Sequence, residues 1–414
     1  MLAEVFRKHK AAMALTFALF ALWGVGHRLY DTLVPEFAKA FALNGSQLVL
    51  TQSVYDLVYF VLAVPAAIYS RAFGSKATIV FGLGAWSVGA FLFYPAAQQH
   101  AFLFFLFAAA VMSCGYIILE IAANPLVAQL GPPETATRRL NFAHALYPIG
   151  LFIAIYVGRW VILSDMELPV EKLAAAVVRP YMVLGLGVLL LAFVIDHVSF
   201  PAVATQRGSR RAAVAEVRVL VSRPWFLAAV GAQFCNVAGQ AGAWTVSASY
   251  VQAAIPAASA ASAADVVLAA LILFGIGRFA GAVLMYWFDP IRLLAVFAGA
   301  GAVAAGVAVA AGGVTGVYSL IAYCFATSIL FATILGTAIR DLGPMIKAGT
   351  ALVLMGSSAG AAVGIAAMHL ISNLSSIQVA MIVPVLGCLA VVAFALATGR
   401  AEAKQDAPVP APVE

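Results

Sequence analysis

The sequence consists mostly of apolar runs, each about as long as a membrane is thick. A helix needs roughly 20 apolar residues to cross a hydrocarbon core of about 30 Å, and twelve such runs follow one another along the 414 residues. Of the chain, 64% is hydrophobic and 10% is charged, whereas soluble proteins are roughly 45 to 50% apolar and about 25% charged. The chain is therefore predicted to be an all-α membrane protein with twelve transmembrane helices.

Short polar segments separate the predicted spans. The limits of the spans are 12–38, 47–70, 76–97, 101–130, 138–163, 179–200, 223–252, 263–288, 291–312, 314–340, 347–372 and 376–398. The first run has no small-residue cleavage site, so we expect it to remain as a helix and not to be removed as a signal peptide. Connections of only a few residues make neighbouring helices antiparallel, which predicts a compact bundle.

Basic residues cluster on one side of the predicted membrane. The opposite side carries only Lys39, Lys172 and Arg179. By the positive-inside rule, both termini are expected in the cytoplasm, and the net charge of +6 indicates orientation in a bilayer and not a nucleic-acid partner. The clustered residues are Arg7, Lys8, Lys10, Arg71, Lys76, Arg138, Arg139, Arg207, Arg210, Arg211, Arg218, Arg223, Arg292, Arg340, Lys347, Arg400 and Lys404.

A weak internal repeat divides the chain into two halves. The sequence Leu-Gly-Pro begins at Leu130 after the fourth span and again at Leu342 after the tenth, an offset of 212 residues (342 − 130). Two homologous halves related by an axis along the membrane normal are typical of transporters. The predicted units are a six-helix bundle over 1–200, a cytoplasmic linker over 201–222, a second six-helix bundle over 223–400 and a disordered tail over 401–414.

The first predicted span carries three ionisable residues, His27, Arg28 and Asp31. Their spacings of three and four place them on neighbouring positions of one helix face. Charges at this depth are costly and mark a functional site by default. The alternative is a helix end whose charges reach up to the headgroups.

Glu120 lies in the fourth span without a lysine or arginine nearby in sequence. Such a carboxyl group avoids a large burial cost by taking up a proton, so Glu120 is predicted to carry the coupling proton. The alternative is a carboxylate tied into a structural hydrogen bond. One turn later come Asn124 and Pro125, and Pro125 is expected to break the helix beside a cavity.

Further polar residues in the first half are candidates for the same cavity. Asp56 in the second span is either the counter-ion of Arg28 or a pore-lining residue on its own. His144 and Tyr147 in the fifth span are three residues apart and can face the first span, although His144 can equally form a structural hydrogen bond between helices.

The seventh span carries an amide stripe, because Gln233, Asn236, Gln240 and Trp244 recur at spacings of three and four. Amides supply paired donors and acceptors for hydroxyl groups, and an aromatic ring covers the C–H face of a sugar. Arg278 in the eighth span is expected to serve helix packing. The four cysteines stand alone in apolar segments, so no metal site or cofactor is predicted.

Several short motifs match a known transporter family along nearly the whole chain. They are Asp31 and Pro35, Gln52-Ser53, Pro65, Leu119-Glu120, Ala122-Ala123-Asn124-Pro125, Arg139-Leu140-Asn141, Ala232-Gln233-Phe234-Cys235, Trp244 and Ile276-Gly277-Arg278-Phe279. On these residues the sequence resembles the fucose/glucose/galactose:proton symporter branch of the major facilitator superfamily. The resemblance implies an alternating-access symporter in which Asp31 and Glu120 handle substrate and proton. The chain departs from the family at His27, Arg28 and Tyr147, where the family has amides, and at Asp56, where it has no acid.

These observations predict a proton-coupled secondary transporter of a monosaccharide or similar small polar solute. We expect a monomer in a bacterial inner membrane, with the solute, protons and the lipid bilayer as partners. The alternative is a carrier of an organic anion or an acidic sugar derivative. A sensor of the same fold would need a signalling domain, and an enzyme would need a nucleophile and base or a metal set, for which the sequence has no suitable spacing.

Overall fold

The structure is a computed structural model that describes residues 9–40, 43–99, 101–165, 170–205 and 207–405. Within these ranges, the side chains at 31–40, 45–46, 48–49, 52, 158–165, 170–177 and 402–405 are outside the description. The last helix continues to Gln405, five residues into the tail predicted to be disordered, and the rest of that tail lies outside the described residues.

The described residues form twelve successive helical spans, of which the fifth, tenth and twelfth consist of two helices each. In the first half the helices are Lys10–Ala40, Gly45–Phe73, Ser75–Gln98, Phe102–Gln129, Ala136–Ala145 with Tyr147–Asp165, and Val170–His197. In the second half they are Pro224–Ala254, Ala260–Leu284, Pro290–Ala311, Gly313–Ala326 with Leu330–Ile339, Ile346–Leu374, and Ile377–Ala380 with Ile382–Gln405. Two shorter helices, Ala202–Thr205 and Arg210–Val221, lie in the linker.

Hydropathy alone does not identify every span. Among the described residues, eleven helical segments are long and apolar enough to cross a membrane, and the seventh span is not one of them. That helix, Pro224–Ala254, has 31 residues, so it is long enough, but its amide side chains lower its mean hydropathy. Its polar residues are therefore the reason that it differs from the other spans.

The helix breaks do not lie where the sequence predicted them. The break expected at Pro125 is wrong, because Phe102–Gln129 continues through that proline as one helix. The fifth span is interrupted at Leu146, immediately before Tyr147-Pro148, and the tenth is interrupted over Thr327 to Ile329. Both breaks lie near the middle of their spans. There, a backbone group that is freed from the helix needs another hydrogen-bond partner within the protein.

Within each half, the first and the fifth of its six spans pack backbone against backbone. A side chain on Gly150 of the fifth span would overlap the carbonyl oxygen of Ala21 in the first. Six spans later, a side chain on Gly360 of the eleventh span would overlap the carbonyl oxygen of Phe234 in the seventh. The same pairing in both halves agrees with the internal repeat.

The two halves meet at the end of the bundle that carries the termini. Asn141 Nδ2 donates to Thr333 Oγ1 at 3.1 Å, and Lys347 Nζ donates to the carbonyl oxygen of Ser70 at 2.7 Å. The linker helix adds an ion pair between Arg71 Nε and Glu216 Oε1 at 3.1 Å. The bundle is thereby closed on the terminus side.

The contact between the first and fifth spans yields a stability prediction. We expect Gly150→Val to lower the apparent melting temperature in detergent strongly, because overpacking costs roughly 1–3 kcal/mol and more where backbone is the neighbour. Gly187→Ala is the matched control, since no atom lies within 4 Å of a Cβ at Gly187. A Gly150→Val variant that melts with the wild type would show that the two helices do not pack in this way.

Candidate functional site

A cavity of about 690 Å³ lies between the two halves. Both halves contribute side chains to its wall. Of the residues predicted from the sequence, it is lined by His27, Arg28, Asp56, Glu120, His144, Tyr147, Gln240 and Trp244. Asn124 is buried behind the wall, and Gln233 and Asn236 are not part of the lining. The side chain of Asp31 is among those outside the description.

His27 is held between two tyrosine hydroxyl groups. Its Nδ1 lies 3.0 Å from Tyr147 Oη, and its Nε2 is hydrogen-bonded to Tyr55 Oη. A neutral imidazole has one donor and one acceptor nitrogen, so one hydroxyl donates to the ring and the other accepts from it. His27 thereby joins the first, second and fifth spans at the cavity wall.

Tyrosines form most of the surface around His27. The His27 ring lies 4.9 Å from the ring of Tyr116, and Tyr55 stacks on Tyr59 at 4.4 Å between centroids. The Oη atom of Tyr59 is buried. This part of the wall offers aromatic faces together with hydroxyl groups, which suits a solute with both C–H and O–H surface.

Glu120 lines the cavity and has no cationic partner among the side chains that the structure describes. Among the described side chains, the ion pairs are Arg71–Glu216 and Arg340–Asp341, and neither involves Glu120. Its own backbone oxygen accepts a hydrogen bond from Asn124 Nδ2 at 3.2 Å. Because an unpaired carboxylate is costly in an apolar wall, this geometry suits a carboxyl group that binds and releases a proton.

A chain of contacts runs from Asn124 across to the second half. Asn124 Oδ1 lies 3.0 Å from His144 Nε2. Pro148 has no backbone N–H, so the carbonyl oxygen of His144, four residues earlier, loses its helical donor. Arg278 of the eighth span supplies a replacement, since its Nη1 donates to that oxygen at 2.9 Å. His144 therefore both lines the cavity and forms the hydrogen bond between helices that the sequence left open.

Arg278 is the main residue that the sequence interpretation assigned differently. It was expected to serve packing alone, but it lines the cavity while only 7% exposed. Its guanidinium group lies 4.7 Å above the Phe274 ring and 5.7 Å above the Tyr147 ring. The signal was available, because an arginine within a span marks a functional site by default.

Arg28 of the first span lies in the cavity wall together with its predicted counter-ion, Asp56. Arg28 and Asp56 line the same cavity, but the ion pairs among the described side chains do not join them. Asp56 instead connects the halves through its backbone, because its carbonyl oxygen accepts from Ser358 Oγ at 2.5 Å. The side chain of Asp31, three residues after Arg28 on the same helix face, lies outside the described part.

The seventh span places its amides at different depths. Gln240 Nε2 donates to the carbonyl oxygen of Thr327, in the break of the tenth span, at 3.1 Å. Trp244 lies edge-on to Phe274 at 5.8 Å. Gln233 and Asn236, nearer the terminus side, are 0% and 3% exposed.

Three tyrosines that line the cavity were not identified as site residues from the sequence. Tyr55 and Tyr59 are four residues apart in the second span, and Tyr116 precedes Glu120 by four, so each spacing follows one helix face. Their aromatic character is also ordinary for a membrane helix, and the sequence alone does not separate a lipid-facing tyrosine from one in a cavity.

Comparison with known proteins places this architecture among transporters. Residues 12–345 match the model of the Major Facilitator Superfamily. The chain is 32% identical over 409 residues to the L-fucose-proton symporter of Escherichia coli (strain K12), covering 93% of this chain and 92% of that protein. It is 29% identical over 384 residues to a glucose/galactose transporter of Brucella abortus biovar 1 (strain 9-941), covering 91% of each.

The fold also resembles solved structures of transporters of this superfamily. The crystal structure of the transporter FucP in the outward conformation superposes with a TM-score of 0.86 at 31% identity, covering 92% of this chain and 97% of that one. The proton:xylose symporter XylE superposes with a TM-score of 0.71 at 12% identity, covering 93% of this chain and 95% of that one. The XylE likeness concerns the fold alone.

The position of His27 yields a test of the cavity wall. We expect His27→Leu to lower the apparent melting temperature, because it removes one hydrogen bond from each of Tyr55 and Tyr147, worth about 0.5–1.5 kcal/mol each. His27→Gln should fall between this variant and the wild type, since an amide still donates and accepts.

The exposed His369 provides the control, and His369→Leu should leave the melting temperature unchanged. If His27→Leu melts together with His369→Leu, then His27 does not hold the two tyrosines.

Proposed function

The chain belongs to the fucose/glucose/galactose:proton symporter family of the major facilitator superfamily, and on that premise we propose that it carries a monosaccharide across the membrane together with a proton. Substrate and proton share one cavity between two bundles that rock against each other. The observation that carries this proposal is Glu120, a carboxyl group without an ion-pair partner among the described side chains in the wall of that cavity.

The wall supplies separate chemistry for the two substrates. Glu120 loads the proton, and Asp31 shares this task or binds the solute. The hydroxyl groups of the solute bind Gln240 and the tyrosines around His27, while Trp244 covers its C–H face. Arg28, Asp56 and His144 lie in the same wall, and Asn124 orients His144 from behind through a 3.0 Å contact.

Orientation and assembly complete the proposal. The positive-inside rule supports cytoplasmic termini in a bacterial inner membrane, in which case the closed terminus side faces the cytoplasm. The residues before 201 and after 222 act as two rigid bundles, with the segment 201–222 as the cytoplasmic linker. We propose that the monomer is the transport unit, since each chain contains its own cavity.

A second candidate function is transport of an acidic sugar or organic anion. It is favoured by Arg28 and Arg278, two cationic side chains from opposite halves that line one cavity. A neutral sugar needs no cation in its site, whereas a carboxylate is best bound by arginine.

Uptake into proteoliposomes distinguishes these functions. The panel contains L-fucose, D-glucose, D-galactose and a uronic acid, each with and without an inward proton gradient. We expect gradient-dependent accumulation of at least one neutral sugar. Accumulation of the uronic acid alone would establish the second candidate, and failure with every solute would refute both.

Glu120→Gln tests the coupling role. The amide mimics the protonated carboxyl group, so the variant should exchange labelled for unlabelled solute across the membrane but lose accumulation driven by the proton gradient. Glu134→Gln is the matched control, because Glu134 is exposed outside the cavity, and it should accumulate solute like the wild type. Wild-type accumulation by Glu120→Gln would show that another group couples the proton.

A further inference from the structure

Two buried amides of the seventh span have no hydrogen-bond partner among the residues that the structure describes. Gln233 is 0% exposed and Asn236 is 3% exposed. Among the described residues, neither nitrogen nor oxygen of either amide has a partner. Leaving a buried polar group unpaired costs about 1–3 kcal/mol, so these side chains destabilise this state of the protein. Buried polar groups that lack a protein partner are candidates for binding water or a ligand.

The helix packing shows which way the two amides face. Phe234 and Ala238 lie against Gly360 and Gly364 of the eleventh span. On another side of the helix, Cys235 lies against Gly387 of the twelfth span. Successive residues of a helix are turned by about 100° relative to one another. At this spacing, Gln233 and Asn236 point away from both the eleventh and the twelfth span.

The helix face that carries Gln233 and Asn236 lines the cavity further from the terminus side. Gln240 and Trp244 belong to the lining, and both are related to Gln233 and Asn236 by steps of three or four residues, which is the spacing of one face. From Gln240 to Gln233 the helix descends by about 10 Å at 1.5 Å per residue. The amides thus continue the polar wall of the cavity toward the terminus side.

The contact between the halves ends the cavity at this level. Phe331 lines the cavity and lies 5.4 Å from the His144 ring. Two residues further toward the termini, Thr333 bonds to Asn141 at 3.1 Å, and a Cβ at Gly336 would lie 2.8 Å from Thr137 Cα. These contacts join the tenth span to the fifth beneath the cavity.

We propose that Gln233 and Asn236 form a second solute subsite, which is sealed in this state and opens when the halves separate on the terminus side. The inference rests on the proposed function and adds a binding position to it. After the switch, hydroxyl groups of the sugar pair with the two amides, one or two helical turns below Gln240. Solute and water then satisfy the donors and acceptors that lack partners here.

The chemistry of the subsite fits a neutral, hydroxyl-rich solute. Each amide offers two donor hydrogens and one acceptor oxygen, which matches hydroxyl groups that both donate and accept. Neither Gln233 nor Asn236 carries a charge. The subsite therefore favours sugars over ions.

Transport by apolar variants is the first test. In Gln233→Leu and Asn236→Leu, equilibrium binding of the transported sugar in detergent should stay within about twofold of the wild type, because Gln240 and the tyrosines remain. Proton-driven uptake and counterflow should fall by about tenfold, since one or two hydrogen bonds of the open state are lost. Uptake at the wild-type rate, or loss of binding equal to the loss of uptake, would overturn the proposal.

Gln378→Leu is the matched control for stability. Gln378 Nε2 donates to the carbonyl oxygen of Val309 at 2.8 Å, so this variant should melt earlier but transport normally. Removing Gln233 or Asn236 should not lower the apparent melting temperature, because their amides have no partner to lose. A lower melting temperature for both Leu variants would mean that the amides are structural.

Accessibility tests the subsite without relying on any sugar. Gln233→Cys and Asn236→Cys are made in a background with Cys114→Ala and Cys235→Ala, since these two native cysteines are half-buried. An impermeant maleimide should label the new thiols from the terminus side only. Labelling from the opposite side, or none from either, would overturn the subsite. If the wild type transports no sugar of the panel, the proposed function fails and this measurement still decides the inference.

Discussion

Backbone pairing at mid-membrane is the constraint on which this site depends. Hydrocarbon offers no hydrogen bonds, so a carbonyl oxygen freed by a helix break must find a donor inside the protein. Pro148 frees the oxygen of His144, and Arg278 of the other half donates to it at 2.9 Å. At the second break, the carbonyl oxygen of Thr327 accepts from Gln240 Nε2 at 3.1 Å in addition to the backbone N–H of Leu330 at 3.3 Å. Arg278 and Gln240 both line the cavity. The side chains that bond to the backbone at the breaks therefore also place polar groups in the cavity wall.

The cavity combines an aromatic wall with Glu120, a carboxyl group that has no ion-pair partner among the described side chains. His27 fixes Tyr55 and Tyr147 through its two ring nitrogens, and the stacked Tyr59 extends this surface. Glu120 lies in the same wall, where the cost of a charge depends on what fills the cavity. Solute binding and protonation can therefore influence each other through desolvation, which is the physical requirement for coupling.

The closed side of the bundle is held by contacts that can be broken reversibly. A hydrogen bond contributes about 0.5–1.5 kcal/mol net, and the polar contacts between the halves include Asn141 with Thr333 and Lys347 with Ser70. Within each half, in contrast, glycine positions bring helix backbones into direct contact. Backbone packing at glycines thus holds each half together, whereas side-chain hydrogen bonds are among the contacts that join the halves.

The sequence by itself determined the spans, the side that carries the basic residues, the division into two halves and the polar residues buried in the membrane. These follow from hydropathy, charge and repeat spacing, which are local or additive properties. Only the tertiary structure decided that Arg278 lines the cavity, that tyrosines surround His27 and that Gln233 and Asn236 lie below the cavity. It also decided that the fourth span continues through Pro125, whereas the fifth breaks at Leu146. The spacing of residues places a side chain on a helix face, but the neighbouring helices decide whether that face meets solute, lipid or protein.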